Sequence, residues 1–122
     1  MDRADVVATL LREFPSLTEE LADETWAGLL HLEVACFSHY TQQQIEVGNR
    51  SELARCYWVA TTFLTDGDAA VRNAIYVSYL EHLNFEDGKR PRRWAKDLMP
   101  PRLRVGYEEI TAYNEALART RT

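Results

Sequence analysis

Histidine, cysteine and long apolar runs are all scarce in this 122-residue chain. Its two cysteines, Cys36 and Cys56, are too few for a disulfide scaffold, and both fall inside helical apolar patterns. They are expected to be reduced, buried thiols. Neither stands in a Cys-x-x-Cys pair or a glycine-rich elbow, so a thiol nucleophile is not expected. The five glycines are scattered singly, which excludes a glycine-rich phosphate cradle. No apolar stretch approaches the roughly 20 residues of a membrane helix. The start, Met1-Asp2-Arg3-Ala4-Asp5, alternates charge and has no apolar signal region, so a cytoplasmic protein is expected.

Three histidines leave little room for a metal centre. His31 and His39 point about 80° apart on one helix, at about 100° per residue. There is no His-Glu-x-x-His and no four-ligand set. Across helices, His82 could meet His39. No metal, no cofactor and no catalytic residue are expected. Carboxylates are plentiful, so no single pair stands out as a general acid and base. The expectation is that the chain is not an enzyme.

What the chain does have is acidic charge and helical periodicity. The net charge is −5, unevenly spread. Residues 1–88 hold 15 acidic and 5 basic side chains, whereas residues 89–122 hold 4 and 9. An acidic majority argues against nucleic acid as the main partner. Lys89, Arg90, Arg92, Arg93, Lys96, Arg102 and Arg104 form a basic run with Trp94 interleaved. Its favoured reading is intramolecular, offsetting the acidic helices; the rival reading is a nucleic-acid or acidic-peptide patch over 89–104.

The apolar residues recur at three-to-four spacing almost throughout, predicting an all-α, single-domain bundle over 1–122 with about five to six helices. The first begins after Asp2 and stops at Pro15. Ser16-Leu17-Thr18-Glu19 reads as a capping box opening a long second helix. That helix runs from about Leu17 to about Val47, with a kink or break near Asp23, and Gly48 closes it. Asn49 and Asp68 are predicted caps of the next two helices. The stretch from Ala69 to Leu83 is apolar nearly all round and should be central; Asn73 within it calls for a buried partner. Pro91 suits the start of a short helix, and Pro100-Pro101 that of the last one. No sustained period-two alternation predicts a strand.

The segment V-R-N-A-I-Y-V-S-Y-L-E-H-L-N-F, from Val71 to Phe85, resembles a group of small, functionally uncharacterised bacterial helical domains. Leu98-Met99-Pro100-Pro101-Arg102-Leu103 and Glu13-Phe14-Pro15 fit the same pattern. The matching positions look like core and caps, so the resemblance implies a fold and transfers no catalytic role. Such domains are similar in size and style to immunity proteins that neutralise bacterial toxins.

These readings converge on an expectation of a stoichiometric protein-binding domain, most concretely an immunity protein occluding a toxin through an acidic helical surface. The expected contact residues are Glu19, Glu20, Asp23, Glu24 and Glu46, with Tyr40 and Trp58 as aromatic anchors off or at the edge of their helices' main apolar stripes. The alternatives are a regulatory or scaffold domain, including a homodimer, and a nucleic-acid module using 89–104.

Overall fold

A computed structural model describes residues 1–22, 29–86 and 92–120. Seven α-helices and no strand occur among the described residues, and the all-α expectation holds. They are α1 (Arg3–Glu13), α2 (Thr18–Leu21), α3 (Leu30–Val47), α4 (Arg50–Asp66), α5 (Ala69–Ala74), α6 (Arg93–Asp97) and α7 (Pro101–Thr120).

Most boundaries follow from local chemistry. The Asp2 carboxylate accepts from the Asp5 amide at 3.1 Å while Asp5 accepts from the Asp2 amide at 2.9 Å, a reciprocal cap on α1. Asn49 Oδ1 accepts from the Glu52 amide, and Asp68 Oδ1 from the Val71 amide. Gly48 ends α3 with φ of 73°, a left-handed conformation that costs glycine little. Pro101 opens α7.

One boundary differs from expectation. Ser16 does not cap a helix. Pro15–Leu17 is a 3-10 turn, and Thr18 Oγ1 donates back to the Pro15 carbonyl at 2.7 Å. The turn drives Leu17 inward, and Ser16 is caught inside it rather than in the extended conformation a cap requires. The long second stretch is interrupted, as expected: α2 ends at Leu21, and α3 starts at Leu30. Asp23 itself and the start at Pro91 lie outside the described residues.

The predicted central helix is central but not uniform. After α5 the chain passes through a π turn, Ile75–Tyr79, and a 3-10 turn, Leu80–His82. Together these pack against α3, α4 and α7. Ile75, Tyr79 and Leu80 are all fully buried. A π turn strains the helical hydrogen-bond ladder, and the freed groups need partners. Ser38 of α3 answers one of them: its hydroxyl donates to the Tyr79 carbonyl at 3.0 Å. Gln42 clamps the chain just beyond, donating to the Asn84 carbonyl at 3.0 Å and accepting from the Asn84 amide at 2.9 Å. Replacing Ser38 by alanine leaves the buried Tyr79 carbonyl without that donor. The expected loss is about 1–3 kcal/mol, read from the midpoint of urea unfolding; an unchanged midpoint would show that the seam does not depend on Ser38.

The core is aromatic at its centre. Phe37 stacks on Tyr79 at 4.7 Å and meets Phe14 at 5.3 Å and Phe63 at 6.1 Å. The Tyr79 hydroxyl is 2.9 Å from Thr41 Oγ1, which also reaches the Phe37 carbonyl. Gly106 lets α7 cross closely: a Cβ there would come within 3.2–3.3 Å of Leu80, Leu64 and Tyr76. Asn73, expected to be a buried anchor, is exposed, because the inward side of α5 is taken by Val71 and Ala74.

Both cysteines are free and buried. Burial pushes the Cys56 thiol up to about 12, so it stays protonated and unreactive near neutral pH.

Candidate functional site

The expected contact residues divide into three sets. Glu19 and Glu20 are exposed in the first turn of α2, and Glu46 is exposed in the last turn of α3. Asp23 and Glu24 lie outside the described residues. Trp58 is 66% exposed on the outer face of α4. Tyr40 lies at the edge of its helix's apolar stripe, half-buried, its ring 5.2 Å from that of Phe14. Burial raises its hydroxyl above the usual tyrosine range, and the negative charge of Glu52 adds to this.

A charged cluster forms where the end of α1 meets α3 and α4. Arg55 donates to Glu52 Oε1 at 2.9 Å, to the Glu13 carbonyl at 2.6 Å and to Glu13 Oε2 at 3.2 Å. Its guanidinium also lies 5.2 Å from the centre of the Phe14 ring. Arg12, then Arg55, holds the Glu13 carboxyl below its ordinary range. On α4, Trp58 follows Arg55 by three residues, which puts the two side by side on the helix surface. Ala54, Thr62 and Thr65 continue that face without charge. The Glu52–Arg55 spacing is a visible signal of this cluster in the sequence. Glu13 is 42 residues from Arg55, and nothing local announces that contact.

A half-buried ion pair joins α1 to α3. Arg3 Nε and Nη2 donate to the two oxygens of Glu33, each at 2.8 Å. Glu33 is 1% exposed and Arg3 44%, so the carboxylate is shielded while the guanidinium reaches solvent. This fork-to-fork contact ties the start of α1 to the first turn of α3.

Within the described part of the basic run, Arg104 and Lys96 make contacts inside the same C-terminal segment, not with the acidic helices of residues 1–88. Arg104 pairs with Asp97 at 3.7 Å and Glu108 at 3.6 Å, and Lys96 Nζ sits 5.5 Å from the Tyr107 ring centre. Lys89 and Arg90 lie outside the described residues. Arg50, from α4, covers Trp94 at 4.6 Å.

His39 and His82 do come together, lining with Gln42 and Ser38 a cavity of about 250 Å³ between α3 and the 3-10 turn. His31 is engaged elsewhere, its Nδ1 2.7 Å from Ser78 Oγ. No cluster of three or more His, Cys, Asp or Glu side chains suited to a metal occurs among the described residues. No described helix is long and apolar enough to cross a membrane.

Two further clefts border α7. One, of about 310 Å³, lies between its second half and the Leu80–Leu83 segment. The other, of about 270 Å³, lies between Leu83–Glu86 and α6 and carries Arg93 and Lys96. Phe85 closes on Tyr107 edge to face at 5.3 Å beside the second.

No curated protein and no solved structure matches the chain. Residues 7–115 match the family DUF7674, described as a domain of unknown function, and this stretch takes in every described buried core position except Val6. The chain belongs to that family of uncharacterised domains.

Proposed function

We propose that this chain is a stoichiometric protein-binding domain, most concretely an immunity protein that neutralises a bacterial toxin by covering its working surface. The observation that carries the reading is the exposure of Trp58. A tryptophan two-thirds in water, on a helix whose inner face is filled by Leu53, Tyr57, Ala60 and Leu64, contributes little to the core. Large aromatics of this kind dominate binding energy at protein interfaces. The uncharged surface of Ala54, Thr62 and Thr65 beside it is easily desolvated.

The placement of the acids supports the same reading. Glu46 lies in the last turn of α3, where the helix dipole disfavours a carboxylate, so its charge gains nothing from the fold. Together with Glu19 and Glu20 it favours a basic partner and speeds encounter through long-range attraction.

The test is rescue of cells from a toxin encoded beside this chain, with co-purification of the two proteins. Trp58→Ala is expected to weaken the complex about 30-fold or more, the equivalent of about 2 kcal/mol, while the unfolding midpoint of the free domain stays in place. Charge reversal at Glu19, Glu20 and Glu46 should slow association and flatten its salt dependence. If the neighbouring protein is harmless or does not bind, the reading fails.

A further inference from the structure

Two members of the basic run have no carboxylate to answer them. Among the described residues, neither Arg93 nor Lys96 makes an ion pair. Both side chains line the cleft of about 270 Å³ between Leu83–Glu86 and α6. Arg93 is exposed and Lys96 half-buried. Lys96 Nζ rests 5.5 Å from the centre of the Tyr107 ring, a contact that leaves the ammonium protons able to donate to an anion. Leu83, Phe85 and Tyr107 supply the apolar part of the lining.

The walls are fixed to one another by separate contacts. Gln42 holds both backbone groups of Asn84. The Arg92 amide donates to the Phe85 carbonyl at 2.7 Å, which ties the start of α6 to the same segment. The edge-to-face contact of Phe85 with Tyr107 ties that segment to α7. Walls set before binding lose little entropy on receiving a ligand.

Charge selects the kind of ligand. Arg93 and Lys96 are countered in the lining by one carboxylate, Glu86, so the cleft carries one net positive charge. That matches a carboxylate better than a phosphate dianion, whose second charge Glu86 would repel. A planar carboxylate also suits the guanidinium fork. The volume lies just below the range of about 300–1,000 Å³ common among ligand cavities, so the ligand is small, on the order of ten non-hydrogen atoms.

We propose that this cleft binds a small carboxylate with an aromatic body. The carboxylate is held by Arg93 and Lys96, the ring packs on Phe85 and Tyr107, and Glu86 restricts the ligand to one negative charge.

An NMR titration of the backbone amides with 3-phenylpropionate tests this. Acetate and 3-phenylpropionamide are the controls, since each keeps one half of the ligand. The acid is expected to bind at least about tenfold more tightly than either, with shifts centred on Phe85, Arg93 and Lys96. Arg93→Gln should weaken the acid about tenfold, and Glu86→Gln should tighten it about threefold. Both positions are exposed, so the urea midpoint should stay in place. Phenyl phosphate should bind less tightly than the acid and gain more from Glu86→Gln. A peptide ending in phenylalanine offers the same chemistry from a protein terminus: tighter binding than the free acid assigns the site to that source, and weaker binding assigns it to a free acid. Equal binding of acid and amide, no shifts at about 10 mM acid, or an acid affinity unmoved by Arg93→Gln would each overturn the proposal. Trp58 does not line this cleft, so Trp58→Ala should leave the titration unchanged, which separates this test from that of the toxin-binding reading.

Discussion

Phe37→Ala is expected to lower the thermal midpoint by about 10–20 °C. The side chain is fully buried and contacts three other rings, Phe14, Phe63 and Tyr79. Truncating a buried phenylalanine to alanine costs about 3–5 kcal/mol through lost transfer energy and the cavity left behind. For a domain of this size each kcal/mol shifts the midpoint by about 4 °C. Ring-to-ring geometry adds to the loss, because the stacked and edge contacts of Phe37 cannot be recovered by collapse of its neighbours. Phe37→Leu keeps most of the volume and should cost less than half as much. Calorimetry of the two variants checks both values; a Phe37→Leu midpoint equal to that of the unaltered domain would mean that the aromatic geometry contributes nothing beyond volume.

Gly67→Ala is expected to be nearly as damaging, although it adds one carbon on a surface turn. The Gly67 amide donates to the Phe63 carbonyl at 3.0 Å and ends α4. A Cβ there would overlap that carbonyl oxygen and come within 2.5 Å of Val71 Cγ1. Neither neighbour can yield: one is helix backbone and the other is a fully buried, β-branched side chain on α5. The α4–α5 connection must open, and overpacking of this kind costs about 3 kcal/mol. Gly48→Ala is the informative contrast. Nothing lies within 4 Å of a Cβ at Gly48, so only its left-handed φ is strained, at about 1–2 kcal/mol. Urea denaturation of the pair should therefore rank Gly67→Ala as the worse, and the reverse order would overturn this account of the turn.

The parts of this fold that were legible in the sequence are those fixed by neighbours in the chain. Asp2, Asn49 and Asp68 each cap a helix three residues away, a spacing that any reading of the chain reveals. Gly48 and Pro101 act through their own backbone preferences. Ser16 shows the limit: its local pattern is a good cap, but burial of Leu17 and Leu21 favours a 3-10 turn there instead. Asn73 shows another, since an apolar neighbourhood in sequence does not say which side of a helix a residue occupies. Trp58 was placed correctly off the apolar stripe of α4. Tyr40 lies at the edge of the stripe of α3, half-buried against Phe14 from α1, a contact no local pattern announces. Contacts such as Arg55 with Glu13 and Gln42 with Asn84 join positions 42 residues apart, and only the packed chain brings them together.

The π turn has a consequence for how this helix tolerates change in length. At about 100° per residue, an unbroken α-helix from Val71 would carry Leu80 to the opposite side and Leu83 about 120° away. The wider turn absorbs one residue without advancing the phase, so both leucines return to the side that Val71 and Ile75 face. The segment thus counts as one residue shorter than it is. Deleting a single residue between Ile75 and Tyr79 would convert it to ordinary α-helix while preserving the inward direction of Leu80 and Leu83, whereas inserting one would swing them out of the core. Length changes here are therefore asymmetric: a loss is absorbed by straightening the helix, and a gain has no slack to take it up.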